Sequence, residues 1–321
     1  MNQSADFLFL DADAIRERLS IADCIPLVRE AMIALSDGTA RQLLRSFIPM
    51  GPDRTFAQMP AALSERGYFG AKMVSVFADP SNPGHKAHRG VVLVFEGELG
   101  RPVCLAEAGE VTRIRTAAAS ALATDVLARK DASVLAILGA GLQARAHIEA
   151  IGLVRNLSEV RVWGRNLERA EAFASDAASL TQAPVHAATS VQSAVEGADI
   201  VCTVTTASDP FLEGAWIGPG THVNAVGSSA PGPAEIDNEL VAKSAMFVDH
   251  KEHVVVHGGE FLRAKAAGLV TDDHIRAEIG EVLTGAKSGR TSDDEITLYK
   301  SLGHAVQDIA AVGWLYEQHQ A

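Results

Sequence analysis

Residues 133–150 read SVLAILGAGLQARAHIEA, in which a glycine turn separates two regular patterns. An apolar run short enough for a buried parallel strand opens the stretch, and apolar residues at helical spacing close it. The turn has the form G-x-G-x-x-A: Gly139 permits a tight turn, Gly141 lets the backbone approach a pyrophosphate, and Ala144 lets the helix pack on the strand. The N-terminus of that helix offers unpaired N–H groups to phosphates. The stretch therefore predicts dinucleotide binding by Gly139, Gly141, Leu142, Gln143 and Ala144.

Strands and helices alternate regularly after the glycine turn. The predicted strands are residues 159–163, 184–187, 200–205, 222–226 and 245–248. The predicted helices are residues 167–178, 191–196 and 295–316. This alternation predicts a Rossmann-type α/β fold, a doubly wound parallel sheet with helices on both faces.

The chain before the glycine turn has a different pattern. Residues 11–38 and 111–129 have helical periodicity, and residues 79–90 form a polar loop rich in Pro and Gly. The strands predicted there are residues 46–50, 55–59, 68–77, 91–95 and 102–106. We therefore expect an α+β domain at residues 1–118, completed by a C-terminal helix at 302–321, and a dinucleotide-binding domain at 119–301.

The composition excludes several classes of function. The chain has 321 residues and a net charge of −12, which disfavours nucleic acid or an anionic membrane as a partner. No apolar run reaches the ~20 residues that span a bilayer, and the N-terminal residues lack the pattern of a signal peptide, so we expect a cytoplasmic protein. The three cysteines are far apart and fit a reducing compartment. The eleven histidines form no pair at metal-ligand spacing, so we expect no metal site.

The residues that follow the second strand of such a sheet indicate which nicotinamide cofactor binds. An acidic residue there accepts a hydrogen bond from the ribose 2′-OH of NAD, whereas an arginine pairs with the 2′-phosphate of NADP. After Trp163 the sequence continues Gly-Arg-Asn-Leu, with Arg165 and Asn166 at the strand end and Arg169 close by. This pattern favours NADP(H), with NAD(H) as the alternative if Arg165 is only a solvated loop residue.

Three cations before the glycine turn are candidates for binding an anion. Lys72 lies within the apolar strand Gly70–Val74, Arg45 stands at the start of a strand, and Arg115 lies in a helix. A lysine is costly to bury without a partner, so it usually faces a polar cavity. The alternative for Lys72 is an edge-strand lysine whose amine reaches solvent.

These segments resemble the ornithine cyclodeaminase/mu-crystallin family along almost the whole chain. The matching segments are Gly70–Val74, His88–Gly90, Thr112–Ala118, Gly139–Ala144, Asn224–Ser228, Gly289–Thr291 and Thr297–Gly303. The resemblance implies a Rossmann domain joined to a substrate and dimerisation domain, and a homodimer. It also implies that a nicotinamide cofactor acts on a small α-imino or α-amino acid.

The resemblance also implies roles for individual residues. Arg45 and Arg115 would clamp the substrate carboxylate, a task suited to the bidentate donors of arginine. Lys72 would bind that carboxylate or transfer a proton. The residues implied to line the cofactor are Thr116, Thr205, Asn224, Val226 and Gly227, with Ser301 near the nicotinamide.

The chain departs from the cyclodeaminases of this family at two positions, and from the family more widely at a third. Those enzymes carry an acid/base Asp where this chain has Ser229, and an acid that holds the distal ammonium of ornithine where it has Ala57. A serine is not a base near neutral pH unless another base activates it. The third position is Pro233, where the family often has a lysine near the cofactor. Cyclodeaminase activity is therefore disfavoured.

The remaining pattern favours hydride transfer to the C=N carbon of a small imino acid. Lys72 is the candidate proton donor, and His88 is a second candidate whose alternative is a loop histidine without a catalytic role. We expect a ketimine reductase that acts on cyclic imines such as Δ1-pyrroline-2-carboxylate or Δ1-piperideine-2-carboxylate. Two alternatives stay open: an amino-acid dehydrogenase or cyclodeaminase, and a protein that binds NADPH or a small ligand with little turnover.

Overall fold

The chain forms two β-sheets, one mainly antiparallel and one wholly parallel. The computed structural model describes residues 7–52, 54–63, 67–79 and 86–320. The chain divides into two compact units: the first contains Met1–Arg115 and His304–Ala321, and the second contains Thr116–Gly303. The predicted fold class, a Rossmann-type parallel sheet accompanied by an α+β portion, is confirmed.

The first unit is built on the mainly antiparallel sheet. Its strands are β1 (Leu8–Leu10), β2 (Ala40–Gln42), β3 (Ser46–Pro49), β4 (Arg54–Leu63), β5 (Tyr68–Ala78), β6 (Lys86–Glu96) and β7 (Pro102–Glu107). Their order is β1-β7-β6-β5-β4-β2, with β3 beside β4. The helices are α1 (Ala12–Arg18), α2 (Ile21–Ser36) and α11 (Ala305–Gln320), together with the start of α3 (Ala108–Leu127), inside which the division between the units falls.

The single helix predicted at residues 11–38 is wrong, because the chain forms two helices there. Leu19 has an extended backbone and ends α1. The side chain of Ser20 then accepts a hydrogen bond from the Asp23 N–H over 3.0 Å and caps α2. A serine that can bond the backbone favours a helix start over a helix interior.

Strands β4, β5 and β6 form the long antiparallel part of this sheet. The predicted loop at residues 79–90 is wrong at its end, because residues 86–90 belong to β6; residues 80–85 lie outside the described part. The register places Lys72 opposite Met59 on β4 and Val92 on β6. The buried helix α11 packs along β4, β5 and β6 and against α2.

The second unit is built on an eight-stranded sheet in which every pairing is parallel. Its strands are β8 (Val134–Leu138), β9 (Glu159–Trp163), β10 (Val185–Ala187), β11 (Ile200–Thr203), β12 (His222–Ala225), β13 (Ala245–Val248), β14 (Ile275–Glu278) and β15 (Thr297–Lys300). Its helices, after the rest of α3, are α4 (Leu142–Gly152), α5 (Leu167–Ala177), α6 (Val191–Val195), α7 (Asn238–Lys243), α8 (Lys251–His257), α9 (Gly259–Ala266) and α10 (Ile279–Leu283).

The strand order of the parallel sheet locates its binding edge. The order is β10-β9-β8-β11-β12-β15-β13-β14. From β8 the next two strands in the chain are added on one side, and from β11 onward the strands are added on the other side. The switch point therefore lies between β8 and β11. In open sheets of this kind, ligands bind beyond the carboxyl ends of the strands at such a switch point. The loop Gly139–Gly141 leaves β8 at that edge.

The helix predicted at residues 295–316 is wrong in its first part. Residues 297–300 form β15, which lies between β12 and β13 in the middle of the sheet. All four of its residues are buried, so the strand shows no alternation of apolar and polar residues. Gly303, with φ 73°, separates this strand from α11.

Elements α7 to α10 and β14 were not predicted. Within the described residues, no helix combines the length and apolar character needed to cross a membrane.

Candidate active site

Two buried cations of the first unit bind one carboxylate, and a third cation lies near one of them. Lys72 on β5 and Arg115 on α3 are each only 5% exposed. Lys72 Nζ and Arg115 Nε both donate to Oδ1 of Asp308, each over 3.1 Å. Asp308 lies on α11 and is fully buried. Arg45, between β2 and β3, is also buried, and its charge acts on Lys72. The three predicted cations therefore lie near one another, with a carboxylate that the sequence did not single out.

Lys72 can hold or release a proton near neutral pH. Burial lowers the pKa of Lys72 to about 8, against the opposing effect of Asp308, and the charges of Arg115 and Arg45 add to the lowering. The ammonium also donates to the hydroxyl of Thr112. A lysine with such a pKa is mostly charged at pH 7 and suits general acid catalysis.

The Arg115 guanidinium is fixed by two consecutive residues of α11. Besides the bond to Asp308, its Nη1 donates to Oε1 of Gln307 over 2.9 Å. Gln307 is itself fully buried. Because both partners are buried and lie on one helix, the plane of the guanidinium has little freedom to turn.

His88 does not join this group. It is exposed on β6 and pairs in register with Val76, whereas Lys72 pairs with Val92. Val92 lies four residues along β6 from His88, which corresponds to about 13 Å.

The glycine turn of the second unit fits a diphosphate. Gly139 has φ 137°, a conformation that favours glycine, and Gly141 is the N-cap of α4. Among the described residues, no side chain caps this helix, and a Cβ added at Gly141 would meet no atom within 4 Å. The first turn of α4 contains no acidic residue, so its N–H groups and an open space are available to an anion. Leu142 is exposed and Ala144 is buried against the sheet.

The segment between the end of β9 and the start of α5 contains an arginine and no carboxylate, and a second arginine follows in α5. Arg165, Asn166 and Arg169 are all exposed. The side chain of Asn166 accepts a hydrogen bond from the Arg169 N–H over 2.8 Å and caps α5, so it stabilises the helix. Arg165 therefore lies in the loop before α5, and Arg169 lies in the first turn of that helix.

A buried carboxylate, Glu235, ties together the loops after β11 and β12. Its Oε1 accepts from the N–H and hydroxyl of Thr205, over 2.6 and 2.7 Å, and its Oε2 accepts from Thr203 Oγ1 and Gly227 N, both over 2.7 Å. Burial raises the pKa of Glu235, and these donors oppose that rise. Thr205 and Gly227 were predicted to line the cofactor, whereas Glu235 was missed because it lies in an irregular segment without a motif.

Three of the remaining candidates lie in or just after strands of the parallel sheet, and the fourth lies in α3. Ser301 follows β15 and is 2% exposed, and its hydroxyl has no hydrogen-bond partner within the described part of the chain. Val226 follows β12 and is half-buried. Asn224 is fully buried and donates to Thr124 Oγ1 over 3.0 Å, so its amide is bound inside the unit. Thr116 is buried within α3. The Ser301 hydroxyl and the open turn at Gly141 fit a dinucleotide.

The chain is similar to known proteins along nearly its whole length. The model of the ornithine cyclodeaminase/mu-crystallin family matches residues 6–321. The ketimine reductase mu-crystallin of Mus musculus is 37% identical over 314 residues, which cover 96% of each chain.

Two solved structures share the whole fold. The Δ1-pyrroline-2-carboxylate reductase of Thermococcus litoralis, solved with NADH and L-proline, has a TM-score of 0.94, 33% identity and 98% coverage of both chains. An archaeal alanine dehydrogenase dimer with bound NAD has a TM-score of 0.91 and 30% identity, and the match covers 98% of this chain and 96% of that one. The chain therefore belongs to the ornithine cyclodeaminase/mu-crystallin family and is an NAD(P)-dependent oxidoreductase.

Proposed function

We propose that this protein reduces a small α-imino acid to the L-amino acid, with NADPH as the preferred cofactor. The observation that carries this proposal is the buried pair of Lys72 and Arg115 on one oxygen of Asp308, with the buried Arg45 close enough for its charge to act on Lys72. Such a group has an excess of positive charge that suits the carboxylate of a substrate. The proposed substrates are cyclic imines such as Δ1-pyrroline-2-carboxylate and Δ1-piperideine-2-carboxylate. Similarity to reductases of ketimines and of Δ1-pyrroline-2-carboxylate supports this proposal.

Each cation has a task in this proposal. Arg45 and Arg115 bind the substrate carboxylate and orient the adjacent C=N carbon. Lys72 supplies the proton that the nitrogen gains when the imine becomes an amine, and the resulting neutral lysine is recharged from solvent. Ala57 and Ser229 stand where a diamine substrate would need carboxylates, which favours an imine without a second amino group.

The second unit holds the cofactor in this proposal. The turn Gly139–Gly141 and the first turn of α4, from Leu142 to Ala144, bind the pyrophosphate, and Thr116, Thr205, Val226, Gly227 and Ser301 line the rest. Asn224 supports this edge from beneath through its bond to Thr124. When bound, NADPH supplies the hydride that adds to the imine carbon.

Cofactor preference is expected to depend on Arg165. Its guanidinium would bind the 2′-phosphate of NADPH, so we expect Arg165→Gln to raise the KM for NADPH about 10- to 100-fold and to leave the KM for NADH nearly unchanged. Lys130→Gln removes an exposed cation at the amino end of β8 and is the matched control. Steady-state kinetics with both cofactors measures the effect. An equal change in the KM for NADH and for NADPH would show that Arg165 does not determine the cofactor preference.

We further propose that the protein forms a homodimer. Ile48 and Met50, two residues apart in and just after β3, are 53% and 56% exposed, and contiguous exposed apolar side chains of this kind can mark an interface. The similarity to a dimeric alanine dehydrogenase supports this proposal. Light scattering should give about twice the chain mass of 33.8 kDa. A mass equal to one chain would contradict the dimer.

The function is tested by following the oxidation of NADPH and NADH with three substrates in parallel: Δ1-piperideine-2-carboxylate, Δ1-pyrroline-2-carboxylate, and pyruvate with ammonia. We expect turnover of a cyclic imine, faster with NADPH. Turnover only with pyruvate and ammonia would instead identify an amino-acid dehydrogenase. Tight binding of NADPH without oxidation in any assay would identify a binding protein.

A further inference from the structure

Asp308 differs from two other fully buried carboxylates, Glu235 and Asp249, in what it binds. Glu235 and Asp249 accept bonds on both of their oxygens, mainly from backbone N–H groups and hydroxyls that hold loops together. Asp308 instead uses one oxygen, Oδ1, for both Lys72 and Arg115. Its other oxygen, Oδ2, is buried and has no hydrogen-bond partner among the described residues. The two cations are therefore its main partners.

The charges around Lys72 come from three other parts of the first unit. Arg115 and Thr112 face it from α3, Asp308 from α11, and Arg45 from the segment between β2 and β3. Cys24 on α2 lies near Arg115 and Asp308, but burial raises the pKa of this thiol to about 12, so it is neutral at physiological pH. Among these described groups, Asp308 alone is negatively charged.

This arrangement makes Lys72 depend on Asp308. Burial and two neighbouring cations disfavour the ammonium form, and the carboxylate at 3.1 Å opposes them. The same oxygen also fixes the direction in which the ammonium and the guanidinium point. A change at Asp308 should therefore alter both the charge and the orientation of the groups that face the substrate.

We propose that Asp308 is a positioning residue that keeps Lys72 charged and aligns it with Arg115 for the substrate carboxylate. This inference rests on the proposed function, in which Lys72 donates the proton. Asp308 acts through the two cations and needs no contact with substrate or cofactor.

The test is the pH dependence of kcat/KM for imine reduction in Asp308→Asn. An acid is active while protonated, so activity should fall as the pH rises through the pKa of Lys72, which is about 8. Without the carboxylate this pKa falls further, and we expect the alkaline limb to move by about one unit or more to lower pH. If kcat/KM fell by the same factor at every pH and the alkaline limb stayed at the wild-type pH, Asp308 would have a merely structural role and the proposal would be overturned.

The variant Asp308→Glu distinguishes the effect of the carboxylate's charge from the effect of its position. It keeps the carboxylate, so we expect lower kcat because the alignment changes, but an alkaline limb at the wild-type pH. A limb displaced to the same extent as in Asp308→Asn would contradict the proposal. Because the glutamate variant retains the counter-charge, it also supplies the test if the asparagine variant fails to fold.

A second measurement does not depend on turnover. The chain has eight lysines, so the side-chain signals of lysine-labelled full-length protein can be titrated by NMR, and Lys72→Arg identifies the Lys72 signal. We expect a lower pKa for Lys72 in Asp308→Asn than in the wild type. An unchanged pKa would overturn the inference even if imines are reduced. Absence of imine reduction by the wild type, with a lowered Lys72 pKa in the variant, would instead refute the proposed function and leave the dependence of Lys72 on Asp308 intact.

Discussion

Lys72→Met is expected to lower kcat for imine reduction by about 10²- to 10⁴-fold, the usual contribution of a positioned general acid. Methionine has nearly the length of lysine and no proton to give. Asp308 keeps its bond to Arg115, so the buried carboxylate is not left without a cation. Cofactor affinity should be unchanged, because Lys72 is not among the residues proposed to bind the dinucleotide. Stopped-flow reduction and fluorescence titration with NADPH measure the two quantities.

Lys130→Met is the matched control, since the Lys130 side chain is 78% exposed and pairs only with Asp125 among its described partners. We expect wild-type turnover from this variant. Turnover of Lys72→Met at the wild-type rate would remove Lys72 from the mechanism, and a parallel loss of NADPH binding would indicate a structural defect instead.

Glu235→Gln should destabilise the second unit and weaken cofactor binding. The carboxylate accepts backbone N–H groups on both oxygens, from Thr205 on one and from Gly227 on the other. An amide has a single acceptor oxygen, so one of these N–H groups must face the NH₂ group of the glutamine whichever way the side chain turns. An unsatisfied buried N–H costs about 1–3 kcal/mol. We expect a loss of that size in the free energy of unfolding and an NADPH Kd at least ~10-fold higher, since Thr205 and Gly227 line the proposed cofactor site.

Urea unfolding and NADPH titration give these two values. Glu239→Gln, at an exposed position in the first turn of α7, removes the same charge without these bonds and should leave both unchanged. Wild-type stability and affinity in Glu235→Gln would show that the two loops hold their positions without the carboxylate.

The fold could be predicted where short apolar strands are bounded by turn residues. Strands β9 and β13 begin and end where the sequence predicts. The same reasoning failed at β15, because four consecutive buried residues have no alternation and the apolar spacing continues into α11. Only pairing with β12 and β13, which lie far away in sequence, makes Thr297–Lys300 a strand.

The candidate site was predictable where a charge interrupts an apolar element. Lys72 stands out in β5 for that reason, and Asp308 could have been found in the same way within the apolar sequence of α11. Glu235 could not, because the segment that holds it has no regular pattern. Its importance comes from donors at the ends of β11 and β12, which the fold brings to it.

The position of α11 in the first unit has a consequence during translation. Arg115 and Asp308 are 193 residues apart, so at 5–20 residues per second the ribosome needs about 10 to 40 s between them. All strands of the second unit are synthesised in that interval. The buried cations of the nascent first unit therefore have no bond to Asp308 until α11 emerges. The proposed substrate-binding group is consequently completed only after every strand of the parallel sheet has been synthesised.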